Sequence, residues 1–161
     1  MSTENIIHKK FMKRAIELSQ RNMQTGIGGP FGAVIVKNQV VVGEGWNKVT
    51  SNNDPTAHAE VEAIRAACQS LKTFDLSGCE IYTSCEPCPM CLSAIYWARI
   101  GKIYYANTKK DAAQIQFDDD FIYQEIPKPL NERKIPMQQI ARDEALVVFQ
   151  EWENKQDKVR Y

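Results

Sequence analysis

Two short motifs constrain this chain more than anything else in it: P-T-A-H-A-E at 55–60 and P-C-P-M-C at 87–91. Cys88 and Cys91 lie three apart just after an apolar, β-rich run, and a helix beginning near Pro89 turns both sulfurs toward one point. That is metal-ligand geometry, but a C-x-x-C taken alone serves redox sites as well, so a second element has to decide. His58 and Glu60, two apart, share no face in mid-helix; they reach one centre only where a helix starts and the centre lies off its N-terminal end. The apolar-periodic run Val61, Ala63, Ile64, Ala67 sets a helix start at that place.

One imidazole and two thiolates make three protein ligands, His58, Cys88 and Cys91, for a tetrahedral ion. The fourth position is left to water, which marks a catalytic zinc, one per chain, with a zinc-bound water that becomes hydroxide near neutral pH. Glu60 is a hard oxygen base beside that set, suited to take the water's proton and pass it on. It is expected to shuttle protons and not to bind the metal. Helix N-termini carrying the ligands favour the thiolate forms. Taken singly, His58 reads as a capping or core histidine and Glu60 as a first-turn carboxylate. Together with the thiols they spell H-x-E followed by P-C-x-x-C, the signature of zinc nucleobase deaminases. Cys85 extends the run to C-x-x-C-x-x-C and could replace a ligand, but it precedes Pro87 on the strand side and is expected near the site as a non-ligand.

The remaining chain is read as a single zinc-dependent domain over residues 1–161, with 43% hydrophobic residues and length enough for an ordinary core. Twenty Lys and Arg balance twenty Asp and Glu, and no basic block appears, so no nucleic-acid partner is expected. Five cysteines, two of them committed to metal, exclude a secreted disulfide framework. The start M-S-T-E-N-I-I-H-K-K lacks the apolar core of a signal peptide, and no apolar stretch reaches membrane-span length, so a cytoplasmic protein without a membrane partner is expected.

Ile7, Phe11, Ala15 and Leu18 predict a helix from about Glu4 to Thr25, stopped by Gly26. A glycine-rich turn then leads to Phe31, either a core ring or a base-stacking one; no phosphate-loop pattern is present. Ala33–Lys37 and Val40–Trp46 read as strands around a hairpin turn at Asn38-Gln39, and Asn47 as a turn former or a ligand contact. Thr50–Pro55 reads as a loop, Cys79–Ser84 and Lys102–Ala106 as strands, and Gly101 as the stop of the helix between them. Ile135–Ile140 is expected as a last strand and Arg142–Lys155 as a terminal helix. The run Phe117-Asp118-Asp119-Asp120-Phe121 would ordinarily be a solvated loop, although its flanking aromatics argue otherwise. The final Tyr161 is either frayed or docked.

Over nearly its whole length the chain resembles the bacterial guanine deaminases of the cytidine deaminase-like superfamily. The matching stretches are G-I-G-G-P-F-G-A-V-I-V-K at 26–37, N-D-P-T-A-H-A-E-V at 53–61, Y-T-S-C-E-P-C-P-M-C-L at 82–92, I-Y-W-A-R at 95–99 and F-D-D-D-F-I-Y at 117–123. The resemblance implies a three-layer α/β fold, a five-stranded mixed sheet sandwiched by helices, assembled as a homodimer. It implies that Phe31, Asn47 and Trp97 shape the base pocket, that Asp119 assists proton transfer at the amine, and that Tyr161 closes the site. Residues 141–161 are then a helix and tail of the kind subunits exchange. The implied reaction is hydrolytic deamination of guanine to xanthine and ammonia. A transfer-RNA adenosine deaminase shares the zinc motif but needs a basic surface. A structural zinc or RNA-binding module would want four ligands and no adjacent Glu.

Overall fold

The apolar residues at helical spacing near the N-terminus form helix α1 (Thr3–Gln24). A computed structural model describes residues 3–161; Met1 and Ser2, the start of the stretch read above for a leader, lie outside the described residues. Strands β1 (Gly32–Lys37) and β2 (Val40–Trp46) follow. Asn38 and Gln39 both take left-handed φ, 50° and 63°, as a two-residue hairpin loop of the primed type requires. The expected loop after Asn47 contains a single helical turn, α2 (Val49–Asn52), before α3 (Ala59–Leu71). Then come β3 (Cys79–Cys85), α4 (Pro89–Trp97), β4 (Lys102–Asn107) and α5 (Lys109–Gln114).

Among the described residues the sheet has four strands, ordered β2-β1-β3-β4. β1 pairs antiparallel with β2 and with β3, and β4 pairs parallel with β3 after the α4 crossover, so the sheet is mixed. Strand alternation sorts the core into two faces. Ala33, Ile35, Cys79 and Ile81 face Ala59, Ala63 and Ala67 of α3 and Ile95 of α4. Val34, Val36 and Tyr82 face Phe11, Ala15 and Leu18 of α1. Contact between α3 and β2 is unusually close, and Gly45 is the reason: a Cβ there would lie 2.1 Å from the carbonyl oxygen of Ala59 and 2.3 Å from the amide of Ala63. The first turn of α3, which carries the chemistry, is therefore pressed onto the sheet.

Two expectations are corrected. The sheet has four strands, not five: Ile135–Ile140 is irregular, with Ile135 and Ile140 each 78% exposed. Pro136 lacks the N–H a ladder needs, and a strand-like composition cannot substitute for a paired edge. Gly101 does not stop the helix before β4. The stop is Arg99, which takes φ 58° while its amide bonds to Tyr96 O, and Gly101 instead donates to Cys79 O at 3.0 Å, starting the next strand. After β4 the chain forms α5, opened by a capping box between Thr108 and Asp111.

The chain divides into two compact units, with the boundary between Asp119 and Asp120. The second unit holds α6 (Asp120–Glu125), a 3₁₀ turn (Leu130–Glu132) and α7 (Arg142–Asn154). Glu125 ties its first half together, bonding the ammonium of Lys128 and, at 2.7 Å, the amide of Lys134. No described residue of this unit is buried.

Candidate metal centre and active site

Both ligand-bearing helices begin at the residue that carries the first donor. His58 is the N-cap of α3 and Cys88 the N-cap of α4, each in extended backbone, and Pro89 fills the first helical position of α4, where a missing N–H costs nothing. Cys88 makes no side-chain capping bond, which leaves its sulfur to the cluster, and Cys91 stands at the third helical position of α4. The two helix N-termini thus converge, with their positive ends toward the thiols.

Nδ1 of His58 lies 3.5 Å from Sγ of Cys88 and 3.5 Å from Sγ of Cys91, and the three donor atoms lie within 4.8 Å of one another. A tetrahedral zinc with bonds of about 2.1 Å to nitrogen and 2.3 Å to sulfur sets those donors roughly 3.6 Å apart. Electrostatics agree with that geometry. The thiol of Cys91, bonding to Cys88, and His58 behind it hold the Cys88 thiol down to about 4. Cys91 moves the other way, raised first by that same bond and then by burial. Two sulfurs this close, beside the Glu60 carboxyl, cannot both ionise without a cation between them. A divalent ion resolves the conflict, and an imidazole nitrogen with two sulfurs suits zinc. The residues present fit the ion.

His58 is raised, chiefly by its bond to Cys88. Glu60 stands outside the three-donor cluster, buried at 6% exposure. Its Oε1 accepts the Thr83 hydroxyl at 3.2 Å, and burial raises its carboxyl above the ordinary range. A raised carboxyl beside a water site is the profile of a group that takes up and returns protons. Cys85 is no ligand. It ends β3 with its sulfur directed at Thr108 O, 3.6 Å away, and burial pushes its thiol up to about 11.

Asn47 is buried, and its Oδ1 accepts the amides of Gly29 and Val49, each at 3.2 Å. The side-chain oxygen is spent on the backbone, so Nδ2 is left as the donor. Gly28 makes room for this, since a Cβ there would lie 2.1 Å from the Asn47 carbonyl oxygen. Phe31 accepts the Asn47 amide at 3.1 Å through its carbonyl; its half-buried ring packs on the core and meets Phe117 edge-on at 4.9 Å. Both local readings of these two residues therefore hold in part: Asn47 braces a turn and Phe31 joins the core. Asp119 is half-buried, and its carboxyl is raised first by burial and then by the Cys88 thiolate. Trp97 ends α4 at 69% exposure, and Tyr161 ends the second unit at 74%. The geometry therefore gathers His58, Cys88 and Cys91, with buried Glu60 held by Thr83, sets Asn47 beside Phe31, and leaves the two outer aromatics to solvent.

Thr83 was not anticipated. It lies two residues before Cys85 on the same strand, and its bond to Glu60 spans 23 residues, so only the fold brings the two together.

Residues 5–107 match the family model of the cytidine and deoxycytidylate deaminase zinc-binding region. The chain is 55% identical to a guanine deaminase of Bacillus subtilis over 154 residues, which cover 96% of this chain and 99% of that one. The X-ray structure of guanine deaminase from Bacillus subtilis superposes with a TM-score of 0.92 at 53% identity, covering 100% of this chain and 99% of that one. A tRNA-specific adenosine deaminase of Aquifex aeolicus is 41% identical over 100 residues, 62% of this chain and 66% of that one. The family model ends at Asn107, so likeness to the Bacillus enzyme continues past the shared zinc region into the second unit. The chain belongs to the zinc-binding cytidine and deoxycytidylate deaminase family and stands within it among the guanine deaminases.

Proposed function

We propose that this protein is a zinc-dependent guanine deaminase that hydrolyses free guanine to xanthine and ammonia. The observation that carries the reading is the three-donor cluster of His58, Cys88 and Cys91 with a buried, raised Glu60 beside it. Held by those three residues, zinc supplies a water that is nucleophilic at neutral pH. Glu60, fixed by Thr83, would take one proton from that water as the oxygen adds to C2 of the purine and pass it to the adjacent ring nitrogen; it would then take the remaining hydroxyl proton of the adduct and pass it to the 2-amino group, whose bond to C2 breaks as the carbonyl forms. Water and guanine give xanthine and ammonia, with every proton accounted for. Asp119 accepts an N–H of the amino edge and helps the amine leave. Asn47 donates through Nδ2 to an acceptor on the base, and Phe31 lies against its flat face.

Trp97 and Tyr161 close the site in this reading, and the two-fold partner is a second copy of the chain. The exposed apolar side chains of α7, with Phe149 at 72% and Val148 at 60%, support a homodimer in which residues 141–161 are exchanged. The cytoplasm suits the protein: all five cysteines are free thiols, and among the described residues no helix is long and apolar enough to cross a membrane. Asp118, Asp119 and Asp120 favour an uncharged base over a phosphorylated substrate, and a formal net charge of zero weighs against transfer RNA.

Zinc-loaded protein incubated with guanine, adenine, cytosine and a transfer RNA, with ammonia release followed, tests the assignment. Release from guanine well above the others is expected. Faster turnover of transfer RNA or of guanosine monophosphate than of guanine would reject it.

A further inference from the structure

Glu86 has no part in the reaction above, yet it is held at both ends. It stands directly before Pro87-Cys88. Its amide donates to Asn107 O at 2.8 Å, continuing the β3–β4 pairing by one step, and its Oε2 accepts the amide of Lys109 at 3.0 Å. Lys109 is the first residue of α5, and the leading amides of a helix have no acceptor within it. Thr108 takes the amide of Asp111 through its hydroxyl, and Glu86 takes that of Lys109 from a strand 23 residues earlier in the chain. Cys85 adds its thiol to Thr108 O. The β4–α5 junction is in this way fastened to the two residues that precede the Pro87-Cys88 step.

What that junction carries is Asp119. After α5 the chain turns through Gln116, at φ 72°, and Phe117 returns its amide to Ala112 O at 3.0 Å. The Phe117 ring then meets Phe31, which packs on the core, edge-on at 4.9 Å, and half-buried Asp119 follows two residues later. We propose that Glu86 is a positioning residue for deamination: by holding the first amide of α5 it sets the reach of the 108–119 segment and fixes Asp119 beside the metal centre. The inference rests on the guanine deaminase reading and on the part of Asp119 in it.

Zinc content, kcat and KM for guanine are measured in Glu86→Ala, Glu86→Gln, Asp119→Asn and the Glu86→Ala/Asp119→Asn pair. Glu86→Ala is expected to keep its zinc and its KM within about twofold while kcat falls roughly ten- to hundredfold, the cost of displacing a reacting group by about an ångström. Glu86→Gln, whose side-chain oxygen still accepts the amide, is expected to restore most of that loss. In the Asp119→Asn background, Glu86→Ala should cost no more than about a further twofold, because both changes remove the same contribution. Loss of zinc from Glu86→Ala, an unchanged kcat, or a full additional loss in the double variant overturns the proposal. Normal turnover by Asp119→Asn alone is a different failure, of the role given to Asp119, and is visible without any change at Glu86. A second pair keeps the test decisive if Glu86→Ala does not fold. Lys109→Pro removes the donated N–H at a helix position where Pro is tolerated, after an extended Thr108 at φ −89° and ψ 165°, while Lys109→Ala keeps it. A kcat lower in Lys109→Pro than in Lys109→Ala supports the clamp, and equal values overturn it.

Discussion

The two units of the chain solve opposite problems. Residues up to Asp119 bury a sheet between α1 on one face and α3 with α4 on the other, and the metal donors sit where two helices start from that packed layer. From Asp120 onward no described residue is buried, although Phe121, Ile126, Val148, Phe149 and Trp152 are large and apolar. A segment this short and this uncovered cannot be stable through its own core. The difference teaches where each property resides: the first unit carries fold and chemistry, and the second carries the surface that seeks a cover. Perturbations of the two units should therefore separate cleanly.

The largest effects belong to the metal centre. His58→Ala, Cys88→Ala or Cys91→Ala is expected to remove zinc and deamination together, as is prolonged exposure of the native enzyme to a strong chelator. Zinc retained in stoichiometric amount by all three variants would sink the ligand assignment. Glu60→Gln should keep the metal and lower kcat by on the order of 10²–10⁴, because only the proton transfer is lost.

Next comes the tail. Deleting residues 157–161 should leave zinc content and the unfolding transition of the first unit intact while lowering kcat/KM for guanine, by up to about 10² if Tyr161 closes the site. Mixing that deletion with full-length Glu60→Gln sharpens the comparison. If tails are exchanged, a mixed dimer pairs an intact Glu60 with a donated Tyr161, and activity returns. No recovery in verified mixed dimers excludes exchange, and full activity of the deletion alone removes the tail from catalysis.

Core and surface apolar residues should then diverge. Leu18, fully buried on the sheet-facing side of α1, should cost about 2–5 kcal/mol on change to Ala. Phe149→Ser, on the exposed face of α7, should cost less than about 0.5 kcal/mol in monomer stability and should instead weaken self-association, read by sedimentation. Comparable losses of stability at both positions would mean that the second unit has a core of its own.

How much of this was legible in the sequence follows the same division. The metal centre was readable because its chemistry dictates its spacing: residues two apart converge only at a helix start, and the start signals stood beside them. The strands of the first unit were readable because alternation and a sharp turn at Asn38-Gln39 agree. What failed lay where local pattern had to be completed by a distant partner. Ile135–Ile140 has the composition of a strand and no ladder. Gly101 has the character of a helix stop, yet Arg99 takes the left-handed position two residues earlier, paying in backbone strain. The bonds from Thr83 to Glu60 and from Glu86 to Lys109 each span 23 residues, and no local pattern announces them.

The smallest expected effect is electrostatic and lies in the first unit alone. Arg14 on α1 bonds both carboxylate oxygens of Glu44 on β2, each at 2.7 Å, tying helix to sheet. The Arg14 hydrogen bonds hold Glu44 below its ordinary value of 4.5, against the opposing effect of burial. A carboxyl lowered in the folded state stabilises above its unfolded value, and that contribution is lost as pH falls through the folded one. Stability from this pair should thus be complete above about pH 5 and fade below 4.5. Both side chains are about a third exposed, 38% and 31%, so the screened contribution should stay within about 1 kcal/mol. The measurement is the difference in unfolding free energy between the native protein and Glu44→Gln, followed from pH 7 to pH 3. Release of zinc in acid is common to both proteins and cancels in that difference. A difference that shrinks toward zero on acidification supports the pair as a helix-to-sheet tie, whereas one that stays constant would assign the effect of Glu44 to packing and not to charge.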